Sequence, residues 1–278
     1  MLMVPARPGF IDTVASHTST SSAGATITAS ATAHTKGNWT QLIANTGARS
    51  LGIGIWLDNT AVSNTNTSLL VDIGVGAAGS ETVLIPDLAG GYALNPSVAN
   101  VAHAYFFPLF IPSGVRVAAR CQGAVVSDTV VCRINLFQRP TGIGWVGTRV
   151  TAYGVVSASS RGTTCTASGT TNTYGTAGTL SASTANSIKF MQVGMQGNSS
   201  AALTDSRVLA DIRLGASTSI AGPLIGNMDT GTESVGFSHM NQQLGAMSFN
   251  LPSAQDLRVA VMSTVASQGT DFIVYGVD

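Results

Sequence analysis

The sequence predicts an all-β protein of two tandem, duplicated antiparallel β-sandwich domains, jelly-roll-like in architecture, on three observations. Apolar runs are short, carry Val, Ile, Thr or aromatic residues, and end at Gly, Pro, Asn or Asp, the punctuation of strands. No stretch sustains a helical period for three turns. The chain also repeats itself: Gly24 to Ser30 (GATITAS) returns 138 residues on as Gly162 to Ser168 (GTTCTAS), and Leu70 to Gly76 returns as Leu209 to Gly215. Arg7-Pro8 and Arg139-Pro140 precede the two copies and place the boundary near residue 139, giving domains 1–139 and 140–278. Units of about 130 residues can each bury a core, and the period is too long for a solenoid, whose units run about 20 to 50 residues.

In the first copy, residues 16–23 are nearly all Ser, Thr and Ala and read as a loose arm. The strand predicted over 25–35 puts Thr26, Thr28 and Ser30 on one face. Strands over 39–44, 51–57, 68–75 and 81–85 are bounded by Gly37-Asn38, Asp58-Asn59, Gly76 and Pro86-Asp87 respectively. A strand over 103–111 contains Pro108 and stops at Pro112. The next, 115–121, alternates Val115, Val117 and Ala119 against Arg116 and Ala118, the half-buried antiparallel pattern. Leu257, Val259 and Val261 repeat it, with Arg258 matched to Arg116 by a two-residue insertion after Leu251-Pro252-Ser253. A last strand over 129–137 closes the unit through a hairpin at 125–128, matched by one at 267–270 where Gly269 supplies a positive φ. In the second copy, 141–161 carries Trp145, Val150, Tyr153 and Val155 and is expected to dock on the fold.

Only 9% of the residues are charged while mean hydropathy is +0.29, so hydroxyls, amides and glycine must cover much of the surface. Thirteen basic and thirteen acidic residues cancel, with Lys36 and Lys189 the only lysines, which leaves no electrostatic footprint for nucleic acid or anionic lipid. No window approaches a membrane span and the start Met1-Leu2-Met3-Val4-Pro5 lacks the form of a secretion signal. Cys121, Cys132 and Cys165, an odd number, argue against a disulfide framework. Cys121 and Cys132 would face each other across the closing hairpin, with Met262 and Tyr275 as counterparts, while Cys165 replaces Ile27 as a small core residue.

No catalytic, cofactor-binding or metal-binding residue is assigned, and the chain is expected not to be an enzyme. Gly74 to Gly79 spells GxGxxG but runs into another strand-like stretch, 80–86, and so reads as a β-turn. His17, His34, His103 and His239 lack metal spacing, and GxSxG, HExxH and phosphate-loop patterns are absent. Asp72 and Asp211 recur, as do Asp128 and Asp271 and, more loosely, Asp87 and Asp229. Paired acids of this kind serve glycoside hydrolysis when held about 5 to 10 Å apart; here structural roles are expected, with Asp72 pairing Arg116. Trp39, Trp56 and Trp145 with Tyr92, Tyr105 and Tyr153 are candidate sugar platforms set against core packing.

The duplicated units, the Thr-x-Thr-x-Ser strand, the Val-Asp-Ile-Gly-Val-Gly turn and the segment Phe107-Pro-Leu-Phe-Ile-Pro-Ser-Gly-Val-Arg-Val117 together resemble virion structural proteins of tailed bacteriophages. That resemblance implies a non-enzymatic component of the virion, assembled in the host cytoplasm, acting through subunit interfaces as capsid decoration, head fibre or tail protein. Its partners would be other virion proteins and copies of itself, three chains presenting six similar domains to a sixfold platform. The alternative is a receptor-binding or tail-fibre protein that recognises host glycans through loops 87–100 and 229–243. A sandwich depolymerase is the third reading.

Overall fold

A computed structural model describes residues 11–15, 24–58, 67–93, 103–138, 145–197, 206–228 and 250–278. The described part of the first half contains β1 (Ile11–Ala15), β2 (Ala25–Thr28), β3 (Thr40–Ile43), β4 (Gly52–Asp58), β5 (Thr67–Val75), β6 (Thr82–Ala93), β7 (His103–Phe107), β8 (Val117–Gly123) and β9 (Thr129–Phe137). The second contains β10 (Val150–Tyr153), β11 (Val155–Val156), β12 (Arg161–Thr166), β13 (Gly178–Ser181), β14 (Phe190–Gly197), β15 (Ser206–Leu214), β16 (Thr218–Met228), β17 (Leu257–Ser263) and β18 (Gly269–Val277), with a single 3-10 turn at Ser157–Ser159.

All pairings between these strands are antiparallel, and the chain is all-β. In the first half one sheet runs β2–β9–β4–β7, with β1 extending the edge beside β2, and the other runs β3–β8–β5–β6. Counting from β2, these orders are 1-8-3-6 and 2-7-4-5: successive strands change sheets except at the β5–β6 hairpin, which is a jelly roll. Among the described residues the second half repeats 1-8-3 as β12–β18–β14 and 2-7-4-5 as β13–β17–β15–β16, with β10 beside β12. Inward residues of the two first-half sheets, among them Ile27, Ile53, Ile55, Val71, Ile73, Ala119, Val130 and Ile134, meet in one core.

Each of the eight predicted strands of the first half has its counterpart, the last with the predicted ends and the others with shifted ones. The one predicted over 25–35 stops at Thr28, although Thr26 and Thr28 do share an exposed face opposite buried Ile27 and Ala29. β6 runs on to Ala93 through a bulge at Pro86-Asp87, and β7 stops before Pro108. Residues 16–23, His17, His239, Asp229 and the boundary at 139 lie outside the described residues, as do residues 94–100 and 229–243 of the two candidate loops. Residues 145–161 are docked as expected, largely through β10 on β18.

After residue 250 the backbone of the two halves corresponds differently from the sequence expectation. Gly76 N–H donates to Arg116 O while Gly215 N–H donates to Asp256 O, and Gly114 N–H donates to Thr46 O while Ala254 N–H donates to Thr184 O. The counterpart of Arg116 is therefore Asp256, not Arg258, and there is no insertion. Ala254 adopts the left-handed φ of 62° where Gly114 has 77°, and this disguised the match. Likewise Asp128 corresponds to Gln268 and Asp271 to Val131, since Ala29 N–H reaches Asp128 O and Ala167 N–H reaches Gln268 O. Cys121 and Cys132 correspond to Val261 and Phe272. Level with Leu88 stands Leu224, so Asp87 falls level with Pro223 rather than Asp229.

The closing connection is no hairpin. β8 and β9 lie in opposite sheets, as do β17 and β18, and the chain arches between them at Ser127 and Ser267, whose φ values of 56° and 58° supply the turn expected of Gly269. Gly76 and Gly79 do shape a turn between β5 and β6, at φ 132° and 80°.

Buried His103 on β7 stacks on the Tyr105 ring at 6.5 Å, and burial lowers its pKa from 6.5 to about 4. The unfolded chain binds a proton here that the folded chain refuses, so this contribution to stability is present above pH 6.5 and lost as pH falls toward 4. A His103→Phe variant is expected to keep its urea midpoint better than wild type between pH 7 and 4.5. Equal losses in both proteins would refute the assignment.

Candidate functional site: the joint between the halves

Strands β14 and β18 are buried along their whole lengths, because both faces are covered. Met191, Val193, Met195, Phe272 and Val274 face the core of the second half. Phe190, Ile273, Tyr275 and Val277 point the other way and join the core of the first. The first half meets this face with the edge formed by β6 and β7, so one sandwich stands edge-on against the sheet of the other.

Sheet edges carry unpaired backbone groups that must be satisfied when covered. Side chains of the second half do this. Tyr275 hydroxyl donates to Asp87 O at 2.9 Å and accepts from Ala89 N–H at 2.8 Å. Gln192 Oε1 accepts from Phe106 N–H at 2.8 Å, and Gln196 Nε2 reaches past the edge to donate to Leu69 O on β5 at 2.9 Å. Tyr105 hydroxyl, from the first half, donates to Ala89 O at 2.7 Å, and its ring meets Tyr275 edge-on at 5.7 Å. Gly194 lets the backbones close: a Cβ there would lie 2.9 Å from the Tyr275 hydroxyl and 3.0 Å from Ala89 Cβ.

A second contact is made by the turn before β12. Gln122 Nε2 donates to Ser157 O at 2.7 Å and Ser160 Oγ at 3.1 Å, and His34 Nδ1 lies 3.0 Å from the same hydroxyl. Ser160 is fully buried and left-handed, φ 52°.

Behind β6 the joint rests on a charged cluster. Lys36 Nζ donates at 2.7 Å to Asp72 Oδ1, at 2.7 Å to Asp87 Oδ1 and at 3.3 Å to Leu70 O. Arg120 Nε donates to Asp72 Oδ2 at 2.9 Å, and its guanidinium lies 4.5 Å from the centroid of the Trp39 ring. Asp72 Oδ1 also accepts from Asp87 N–H at 3.0 Å, fixing Asp87 at φ 50° so that its carbonyl meets Tyr275. Two carboxylates are thus set against two cations, an arrangement that braces the bulge of β6. The expected partner of Asp72, Arg116, pairs instead with Glu81, which directly precedes β6. In the second half Asp211 accepts from Arg213 at 2.7 Å and Ser219 at 2.5 Å, with Tyr174 under the Arg213 guanidinium.

The structure thus brings Asp72 and Asp87 together and leaves Asp211 and Asp271 at separate places. All three cysteines are buried thiols outside any disulfide, and burial pushes them up to about 12, far from a reactive range. No group of three or more His, Cys, Asp or Glu side chains suited to a metal occurs among the described residues. Trp39 and Trp145 are half-buried beside Arg120 and Lys189.

Tyr275, Gln192 and Gln196 were not singled out from the sequence. The run Phe272-Ile-Val-Tyr-Gly-Val277 lacks polar alternation, and that is the signal of a strand covered on both faces.

No family model matches the chain, and no curated protein does. Among solved structures it is similar to a chain of PNGF-II crystallised in a C2 space group, with 9% identity over 86% of this chain and 58% of that one and a TM-score of 0.33, a likeness that assigns neither fold nor activity.

Proposed function

We propose that the chain is a non-enzymatic structural component of a tailed-phage virion, acting through subunit interfaces as capsid decoration or tail-associated protein. The observation that carries this reading is the joint: buried side chains of the second half bond the backbone of edge strands β6 and β7 and of β5 behind them, so that the pair forms one stiff bracket. The acids that a hydrolase would need brace that joint. Jelly rolls recur in viral coat proteins and in lectins, an analogy of fold alone.

A surface short of charge makes contacts that salt screens little, which suits assembly across changing ionic strength. Three chains would offer six similar sandwiches to a sixfold partner. The test is to purify particles from the host that carries this gene, identify the chain by mass spectrometry and locate it by cryo-electron microscopy. Stoichiometric density at a capsid or tail interface is the expected result. Absence from particles, together with cleavage of a host saccharide by the purified chain, would overturn it; binding on a glycan array without cleavage would favour the adhesion alternative.

A further inference from the structure

We propose that Asp271 makes the joint between the halves pH-responsive, tightening it in mild acid and loosening it toward neutral pH. Asp271 is fully buried on β18, on the same face as Ile273, Tyr275 and Val277 that meets the first half. Its carboxylate accepts from Thr164 Oγ1 at 2.6 Å and, at longer range, from Arg161 Nη1 at 3.2 and 3.3 Å. Directly across on β14 stands Gln196, whose amide carries the contact to Leu69 O and accepts from Gly162 N–H at 3.3 Å. Arg161 directly follows Ser160, the residue that touches Gln122 and His34. The carboxylate therefore lies where both arms of the joint converge.

Among the described residues, the charged and titratable side chains acting on it are Arg161 and Cys165, both on β12; β14 brings only the neutral Gln196. Burial outweighs the Thr164 hydroxyl and the Arg161 guanidinium and raises its pKa from 3.8 to about 6. A folded-state value above the unfolded one gives stability that is fully present below pH 3.8 and lost as pH rises through 6. In the ionised form the joint holds a buried carboxylate with one guanidinium, and burial of such a charge is costly.

The experiment compares the urea unfolding of the full chain with that of Asp271→Asn between pH 4.5 and 7.5. Asparagine keeps the shape and cannot ionise, so the folding equilibrium of wild type relative to the variant is expected to fall roughly twenty- to thirtyfold across that range. Hydrogen exchange in residues 84–93, read at matched pH, is expected to be faster in wild type than in the variant at pH 7.5 and alike in both at pH 4.5. A second variant, Thr164→Val, removes the hydroxyl donor and is expected to move the wild-type transition to higher pH. A pH-independent difference for Asp271→Asn, or a transition unmoved by Thr164→Val, would overturn the proposal.

Discussion

Alanine at Gly175 is expected to destabilise the second half by about 3 kcal/mol or more, and Gly37→Ala to do the same to the first. The two glycines occupy equivalent places in the connections that cross from one sheet to the other, Gly37 just before β3 and Gly175 just before β13. Gly37 N–H donates to Cys121 O at 2.8 Å, and Gly175 N–H donates to Val261 O at 2.8 Å. A Cβ at Gly37 would stand 2.3 Å from Thr28 O, and one at Gly175 would stand 2.1 Å from Thr166 O. Carbon and oxygen cannot approach so closely, and the obstacle is backbone on both sides, so no side chain can swing away. Either the crossing lifts and breaks its hydrogen bond, or β2 and β12 shift against β9 and β18. Gly169→Ala is the matched control, since its nearest neighbour would be Ser267 Oγ at 4.0 Å. Thermal and urea unfolding of the three variants checks this; a Gly175→Ala protein as stable as Gly169→Ala would refute the crowding.

The contrast between what was legible in the sequence and what was not follows the range of the interactions. Strand positions were legible because Ile27 between Thr26 and Thr28, or Val117 beside Arg116, report burial on one face at a period of two. Jelly-roll order was not, because nothing local tells β8 to pair with β5 while β9 pairs with β4. The arch at Ser127 looked like a hairpin for that reason. Two identical arginines, Arg116 and Arg258, drew the alignment off by two residues, whereas the backbone aligned Gly114 with Ala254 through a shared left-handed turn. Asp72 was legible as a structural acid by its recurrence, but its partners were not: Lys36 and Arg120 come from the β2–β3 connection and β8, and neither has a charged counterpart in the second half. The joint was invisible to repeat comparison because it is where the copies differ. The positions of Gly194, Ile273 and Tyr275 are held in the first half by Trp56, Arg133 and Asn135.

Tyr275→Ala is expected to split unfolding into two transitions, one for each half, where wild type is expected to unfold in one. The side chain is wholly buried, fills the opening between β6 and β7, and packs edge-on against Tyr105 at 5.7 Å and Phe107 at 5.9 Å. Its loss removes about 3 to 5 kcal/mol of packing. The lost hydroxyl further strands Ala89 N–H and Asp87 O, each at about 1 to 3 kcal/mol when left buried without a partner. Tyr275→Phe isolates the second loss, since the ring stays. It is expected to weaken the joint by about 2 to 4 kcal/mol while leaving unfolding a single step. Coupling through Asp87 is checked by a double-mutant cycle with Lys36→Met: both residues act on one backbone bulge, so their effects should fall short of additive. Calorimetry and hydrogen exchange read the wild type and all four variants. If Tyr275→Ala still melts in one transition and residues 84–93 exchange as in wild type, the two jelly rolls are held together by something other than this tyrosine, and the stiff bracket on which the structural role rests loses its keystone.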